Sequence, residues 1–211
     1  LASKDLKSGK ILLESDLVLK REDSNTPTLE FDEIVNNRIT HNIKADKLIK
    51  QSYFKHKVLA IVTITSSLTE GSDLQKLPII KESSLSYLLK RLSVSLDKGY
   101  INRIVLCTSL KEEDDYFVSI ANEFKIKSYR CESNNVLDWM IIALNENPEY
   151  DIILRAKGEN ILIDPNYILN SVGYHIDNNL DYTDAISLPR GTGVEVFNTA
   201  ALKKIFKHAE D

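Results

Sequence analysis

The sequence predicts an α/β fold: a parallel sheet flanked by helices, behind a small, turn-rich, mostly β module. Three observations carry this. From Val58 onward, β-branched apolar runs alternate with stretches whose apolar residues recur at helical spacing. Residues 1–54 lack that alternation and are rich in turn signals. Residues 150–165, YDIILRAKGENILIDP, end an apolar run in a cluster of basic, glycine and acidic residues. That place, the carboxyl end of a strand, is where open α/β sheets hold ligands.

In the first module, residues 3–10 form a polar turn with Gly9 at its tip. The runs 11–13 and 17–19 bracket Glu14, Ser15 and Asp16, and fit short strands or a single helical turn equally well. Asn25 and Pro27 mark a loop. Residues 53–57 read as a linker. The second domain, 58–211, then runs as strand 58–64, a polar loop at 66–76, helix 84–96, strand 104–108, helix 112–124, strand 126–129, helix 136–145 and strand 152–154. Helix 166–178 follows, then a strand beginning at 185–188, a strand at 194–197 and a last helix, 199–207. Strands alternating with helices call for parallel pairing with right-handed crossovers.

The bulk properties narrow the function classes. At 211 residues, 43% hydrophobic and 27% charged, the chain can bury a core. A net charge of −4 argues against nucleic acid as a partner. No apolar run reaches the length of a membrane span. Cys107 and Cys131 have no metal-ligand spacing and read as core thiols of a cytoplasmic protein. The chain begins with Leu and stops directly after a predicted helix, so it is expected to be a piece of a longer protein, truncated at its C-terminal end.

Chemistry concentrates past the strand at 152–154. Arg155 and Lys157 suit phosphate, and Glu159 and Asp164 suit a hard cation such as Mg2+. The alternative is a polar loop in which Asp164 simply caps the helix behind Pro165. Neither the Walker pattern nor GxGxxG is present. His41, His56, His175 and His208 are scattered and read as solvated, Trp139 reads as core, and the acidic residues 112–115 read as a helix N-terminus.

Two resemblances sharpen this. KDLKSGKILLESDLVLKR resembles the start of the antifreeze-like (SAF) module that closes sialic acid synthases, with Asp5, Gly9, Asp16, Lys20 and Arg21 on matching positions. ITHNIKADKLIK is similar to that module's closing segment, while Glu22, Asp23 and Ser24 replace its Pro-Gly stretch. In those synthases the module covers a neighbour's active site and an arginine from it can reach substrate. The resemblance therefore implies a homodimer and puts Arg21 forward as a substrate contact, the alternative being an exposed basic residue at a strand end.

Residues 58–207 resemble the cytidylyltransferases of surface-polysaccharide synthesis, in the spore-coat polysaccharide branch related to CMP-KDO and CMP-sialate synthetases. The segments that carry it are IVTITSSLTEGSDLQKL, CESNNVLDWMIIAL, ILRAKGENILIDP and LPRGTGVEVFNTAAL, in that order. The resemblance implies a Rossmann-like nucleotidyltransferase domain that transfers CMP from CTP to a sugar acid with Mg2+. It places Lys76 on the lysine of the nucleotide loop and Thr65 on a glutamine of that loop. Arg155, Gly158, Asp164, Pro189, Arg190, Gly191 and Glu195 match. Lys76 and Arg155 are thus the catalytic candidates, Glu159 and Asp164 the metal candidates, and Arg190 and Glu195 the acceptor candidates; a surface turn and a strand-edge charge are the alternative for the last two.

The departures are specific. Ser67 and Ser72 stand where the family has the two arginines that grip the triphosphate. Exchanging two charged contacts for neutral ones costs about 3–6 kcal/mol, at about 1.5–3 kcal/mol each. Glu159 replaces the metal-holding aspartate, Asn135 an aspartate, Trp139 an arginine and Ile161 a proline. Two functions follow: an active cytidylyltransferase, or a nucleotidyltransferase-shaped binding or assembly domain without catalysis. A glycosyltransferase is disfavoured, because no Asp-x-Asp pair marks a metal site.

Overall fold

The computed structural model describes residues 1–8, 10–20, 29–37, 39, 41–54, 56–66, 78–79, 82–185 and 188–209. The chain divides into two compact units, one of Leu1–His56 with Gly173–Asn179, the other of Lys57–Val172 with Leu180–Asp211.

In the first unit the mostly β expectation gives way to something looser. Its described residues form isolated antiparallel bridges, Ala2–Leu17, Leu6–Ile43 and Ile39–Phe54, instead of a continuous ladder. A single helical turn, α1 (Phe31–Ile34), and two 3-10 turns, Glu14–Asp16 and Gln51–Tyr53, complete it. Apolar runs of about three residues are too short to sustain longer pairing. Leu6, Leu12, Ile39 and Phe54 build the core, so 53–54 belong to it and are not a linker. Asp16 is fully buried, with Lys4 and Lys10 each 2.9 Å from its carboxylate and the Leu13 amide donating to it at 3.0 Å. Burial pushes its pKa up, but these partners outweigh burial and hold it at about 2. His175, expected to be solvated, is buried.

The second unit is a mixed six-stranded sheet. Its elements are β1 (Val58–Thr63), β2 (Pro78–Ile79), β3 (Glu82–Ser83), α2 (Ser84–Asp97), β4 (Arg103–Ser109), α3 (Asp115–Glu123) and β5 (Lys127–Cys131). Then come α4 (Val136–Asn145), β6 (Ile152–Lys157), α5 (Pro165–Asp177, whose residues from Gly173 on belong to the first unit), β7 (Tyr182–Asp184), β8 (Glu195–Asn198) and α6 (Thr199–Ala209). Strand order is β5-β4-β1-β6-β8-β7; β2 and β3 pair separately.

The four core strands are parallel, as expected, but β8 runs antiparallel to both β6 and β7. The strand expected from 185 lies earlier, at β7. Residues 186–187 of the expected strand lie outside the described residues, and the Asp184 carboxylate accepts from the Ala185 amide at 2.7 Å at the end of β7. α3 is preceded by a 3-10 turn at Glu112–Asp114, and α5 starts on Pro165, a favoured first helical position.

β1 is buried along its whole length. Alternate residues of the central strands, including Leu59, Ile61, Val105, Cys107 and Ile153, meet Trp139, Met140 and Leu202 of α4 and α6. α2 and α3 pack against each other and on β4. Both cysteines and Trp139 are core residues, with the indole N–H donating to Ser133 O at 2.6 Å.

Candidate active site

The chain leaves β1 to form β4 and β5 on one side, then returns to place β6 on the other. That reversal makes the carboxyl ends of β1 and β6 the topological switch point, where α/β sheets open a crevice. A cavity of about 580 Å3 lies beside the end of β6, lined by Arg155, Lys157, Glu159, Asn160, Asp184, Arg190 and Glu195 among others.

Strand register builds its floor. Arg155 on β6 faces Glu195 on β8, and Glu195 faces Asp184 on β7. The Arg155 guanidinium donates to Glu195 Oε2 at 2.6 Å and to Thr63 Oγ1 at 3.2 Å. Lys157 Nζ lies 3.1 Å from Glu195 Oε1. Two cations thus hold one carboxylate and offset the repulsion between Glu195 and the directly opposed Asp184. Tyr182 on the same edge is pushed up to about 12, by burial first and by Glu195 and Asp184 after it.

The walls are two loops tied together. Asn160 donates through its side chain to Gly193 O at 2.7 Å, and the Leu162 amide donates to Gly191 O at 2.9 Å. Gly191 has φ +86°, a conformation open to glycine. Gly158 brings the end of β6 against β1: its amide donates to Thr63 O at 2.9 Å, and a Cβ there would stand 2.6 Å from the Ile64 side chain. Arg91 of α2 steadies the far end of the wall by donating to Ile163 O.

The structure brings Arg155, Glu159, Arg190 and Glu195 together. Asp164 does not line this cavity: its Oδ1 accepts from the Asn166 amide at 2.7 Å, so it is the cap of α5. Thr65 is buried and its hydroxyl serves Asp114. Ser67, Ser72, Lys76 and Arg21 lie outside the described residues. Asp184 was not singled out from sequence; its one available signal was an acidic residue near the end of a strand. Glu159 and Asp184 offer the oxygen donors that Mg2+ takes, and such sites are completed by substrate phosphates. Among the described residues no cluster of three or more His, Cys, Asp or Glu gathers as a ready-made metal cage.

A mostly parallel sheet with a charged cavity at its switch point is an α/β fold open where such sheets bind ligands. A cytidylyltransferase from Leptospira borgpetersenii shares it, with a TM-score of 0.65 at 22% identity, over 72% of this chain and 65% of that one. So does CMP:2-keto-3-deoxy-manno-octonic acid synthetase complexed with CTP, at a TM-score of 0.57 and 12% identity, over 72% and 78%. The chain belongs to the cytidylyltransferase family, whose profile matches residues 83–211. It is 32% identical over 129 residues to an uncharacterized protein of Methanocaldococcus jannaschii, covering 60% of this chain and 51% of that protein. It is 29% identical over 101 residues to the spore coat polysaccharide biosynthesis protein SpsF of Bacillus subtilis, covering 48% and 42%. The chain thus spans about half the length of these curated relatives.

Proposed function

We propose that the protein carrying this chain transfers CMP from CTP to a sugar acid, in the making of a surface polysaccharide or a sialic-type nonulosonic sugar. The observation that carries this reading is the cavity at the switch point, lined by Arg155, Lys157, Arg190 and Glu195 within the family's matched region. An acceptor oxygen attacks the α-phosphorus; the new P–O bond forms as the bond to pyrophosphate breaks, and pyrophosphate leaves with the electron pair. Lys157 faces the phosphates, a role the resemblance also gives to Lys76, and Arg155 holds Glu195 in place to accept from acceptor hydroxyls. Arg190, exposed at the rim with no ion pair to a described residue, takes the acceptor's carboxylate. Glu159 would hold Mg2+ together with phosphate oxygens, and that ion would offset the charge developing on the leaving pyrophosphate.

The first unit fits, in this reading, an antifreeze-like module of the sialic acid synthase type. Asp5 accepts from the Ala45 amide at 2.8 Å and pairs with Lys44 at 2.7 Å, and Lys20 pairs with Asp46, so the residues of the resemblance serve that unit's own fold. The parent protein would be a cytoplasmic homodimer, with synthesis and activation of one sugar in a single chain.

A second reading, a binding or assembly domain without catalysis, rests on Ser67 and Ser72 in place of the triphosphate-gripping arginines and on Glu195 already engaging both Arg155 and Lys157. Pyrophosphate release by the full-length protein, given CTP, Mg2+ and a panel of 2-keto sugar acids, decides between them. Release supports transfer. No release, together with no calorimetric heat from millimolar CTP, leaves the non-catalytic domain.

A further inference from the structure

Asp114 is fully buried and lies in the cap position before α3, yet its carboxylate accepts nothing from that helix. It turns instead to two strand ends. Its Oδ1 accepts from the Ser66 amide at 2.8 Å and the Ser66 hydroxyl at 2.7 Å, just past β1. Its Oδ2 accepts from the Thr108 hydroxyl at 3.1 Å, the Ser109 amide at 3.3 Å and the Ser109 hydroxyl at 2.6 Å, at the end of β4. A buried carboxylate costs a great deal unless it is paired or fully hydrogen-bonded. Here neutral donors from two separate strand ends supply that compensation.

We infer that Asp114 is a positioning residue: it fastens Thr65 and Ser66, which directly follow Ile64, the residue packed on Gly158 between the cavity-lining Lys157 and Glu159, and so sets the affinity for the nucleotide. This rests on the nucleotidyl-transfer reading. Burial raises the carboxyl's pKa, but hydrogen bonds from Ser109, Ser66 and Thr65 outweigh burial and hold it at about 2, so the acceptor is ionised at working pH. An asparagine keeps one acceptor oxygen and turns an NH2 toward either the Ser66 or the Ser109 backbone amide, which can only donate. The segment leaving β1 then loses its tie while β1, buried along its length, stays in the sheet.

The test compares Asp114→Asn and Ser66→Ala with Met140→Ala, a core truncation under α4, each held well below its own unfolding temperature. The readouts are hydrogen exchange at the Ser66 amide of the ligand-free protein and the separate KM and kcat for CTP. Asp114→Asn should raise exchange at Ser66 and raise KM for CTP about tenfold, with kcat changed far less, as expected when a binding segment is misplaced. Ser66→Ala should follow in the same direction, and Met140→Ala should lower stability while leaving both readouts alone. Unchanged exchange and KM in Asp114→Asn would overturn the inference, as would an equal KM rise in Met140→Ala. A wild type that turns over no CTP ends the transfer reading, and the exchange comparison then decides the anchor by itself.

Discussion

Gly158 offers the sharpest test of how the end of β6 is built. An added Cβ would stand 2.6 Å from Cδ1 and from Cγ1 of Ile64 and 2.7 Å from its Cβ. Real Cβ atoms do not come that close, and Ile64 is a buried core residue with little freedom to yield. Gly158 does not adopt left-handed backbone, so the cost of Gly158→Ala is a packing cost alone. Overpacking of this kind costs about 1–3 kcal/mol. For a chain of this size that lowers Tm by roughly 2–4 °C per kcal/mol. Urea unfolding with a fixed m-value measures it directly. Ile64→Ala by itself loses about 2–5 kcal/mol, but in the double variant it removes two of the three clashing atoms. The double variant should therefore lose less than the sum of the single losses. The Ile64 Cβ remains, so relief is partial. Gly158→Ala with unchanged stability, or strict additivity in the double variant, would refute this account of the glycine.

Glu195→Gln leaves Arg155 and Lys157 without their counter-charge. It should lower Tm and strengthen binding of inorganic pyrophosphate, read by calorimetry at low salt, whereas a mere strand-edge charge at Glu195 predicts no change in either. Asp164→Ala should cost about 0.5–2 kcal/mol, the worth of a helix cap; a change in the Mg2+ dependence of turnover would instead make it a metal ligand. The folded-state pKa values of Asp16 and Asp114 are both depressed from 3.8 to about 2. Their contribution to stability is therefore present above about pH 4 and lost as pH falls through about 2. Denaturant midpoints measured between those limits should fall steeply in the wild type and less steeply in Asp16→Asn.

Periodicity alone was enough for the helix at Val136–Asn145, which the structure reproduces to the residue, because its apolar stripe answers to one local face. It was also enough for β1 and for the burial of Trp139, while the lack of metal-ligand spacing was enough to read Cys107 and Cys131 as core thiols. The antiparallel edge was not legible, because a four-residue strand such as β8 reads the same whichever way it runs. β7 was missed because Tyr182–Asp184 is short and half exposed, with no apolar run to announce it. His175 was misread because only three-dimensional packing buries it.

The site divides in the same way. Arg155, Glu159, Arg190 and Glu195 could be named from residue types following strands and from family motifs. The pairing of Arg155 with Glu195, which lie 40 residues apart, depends on the register of β6 with β8. Asp114 looked like ordinary helix-end charge, since its partners Ser66, Thr108 and Ser109 come from two other strand ends. The amino-acid sequence determined which stretches become strands and helices and which residue types gather behind the strands, because those follow from near-neighbour chemistry. Only the tertiary structure decided which charges neutralise each other and which carboxylate ties β1 to β4, because distance through space between remote residues governs both.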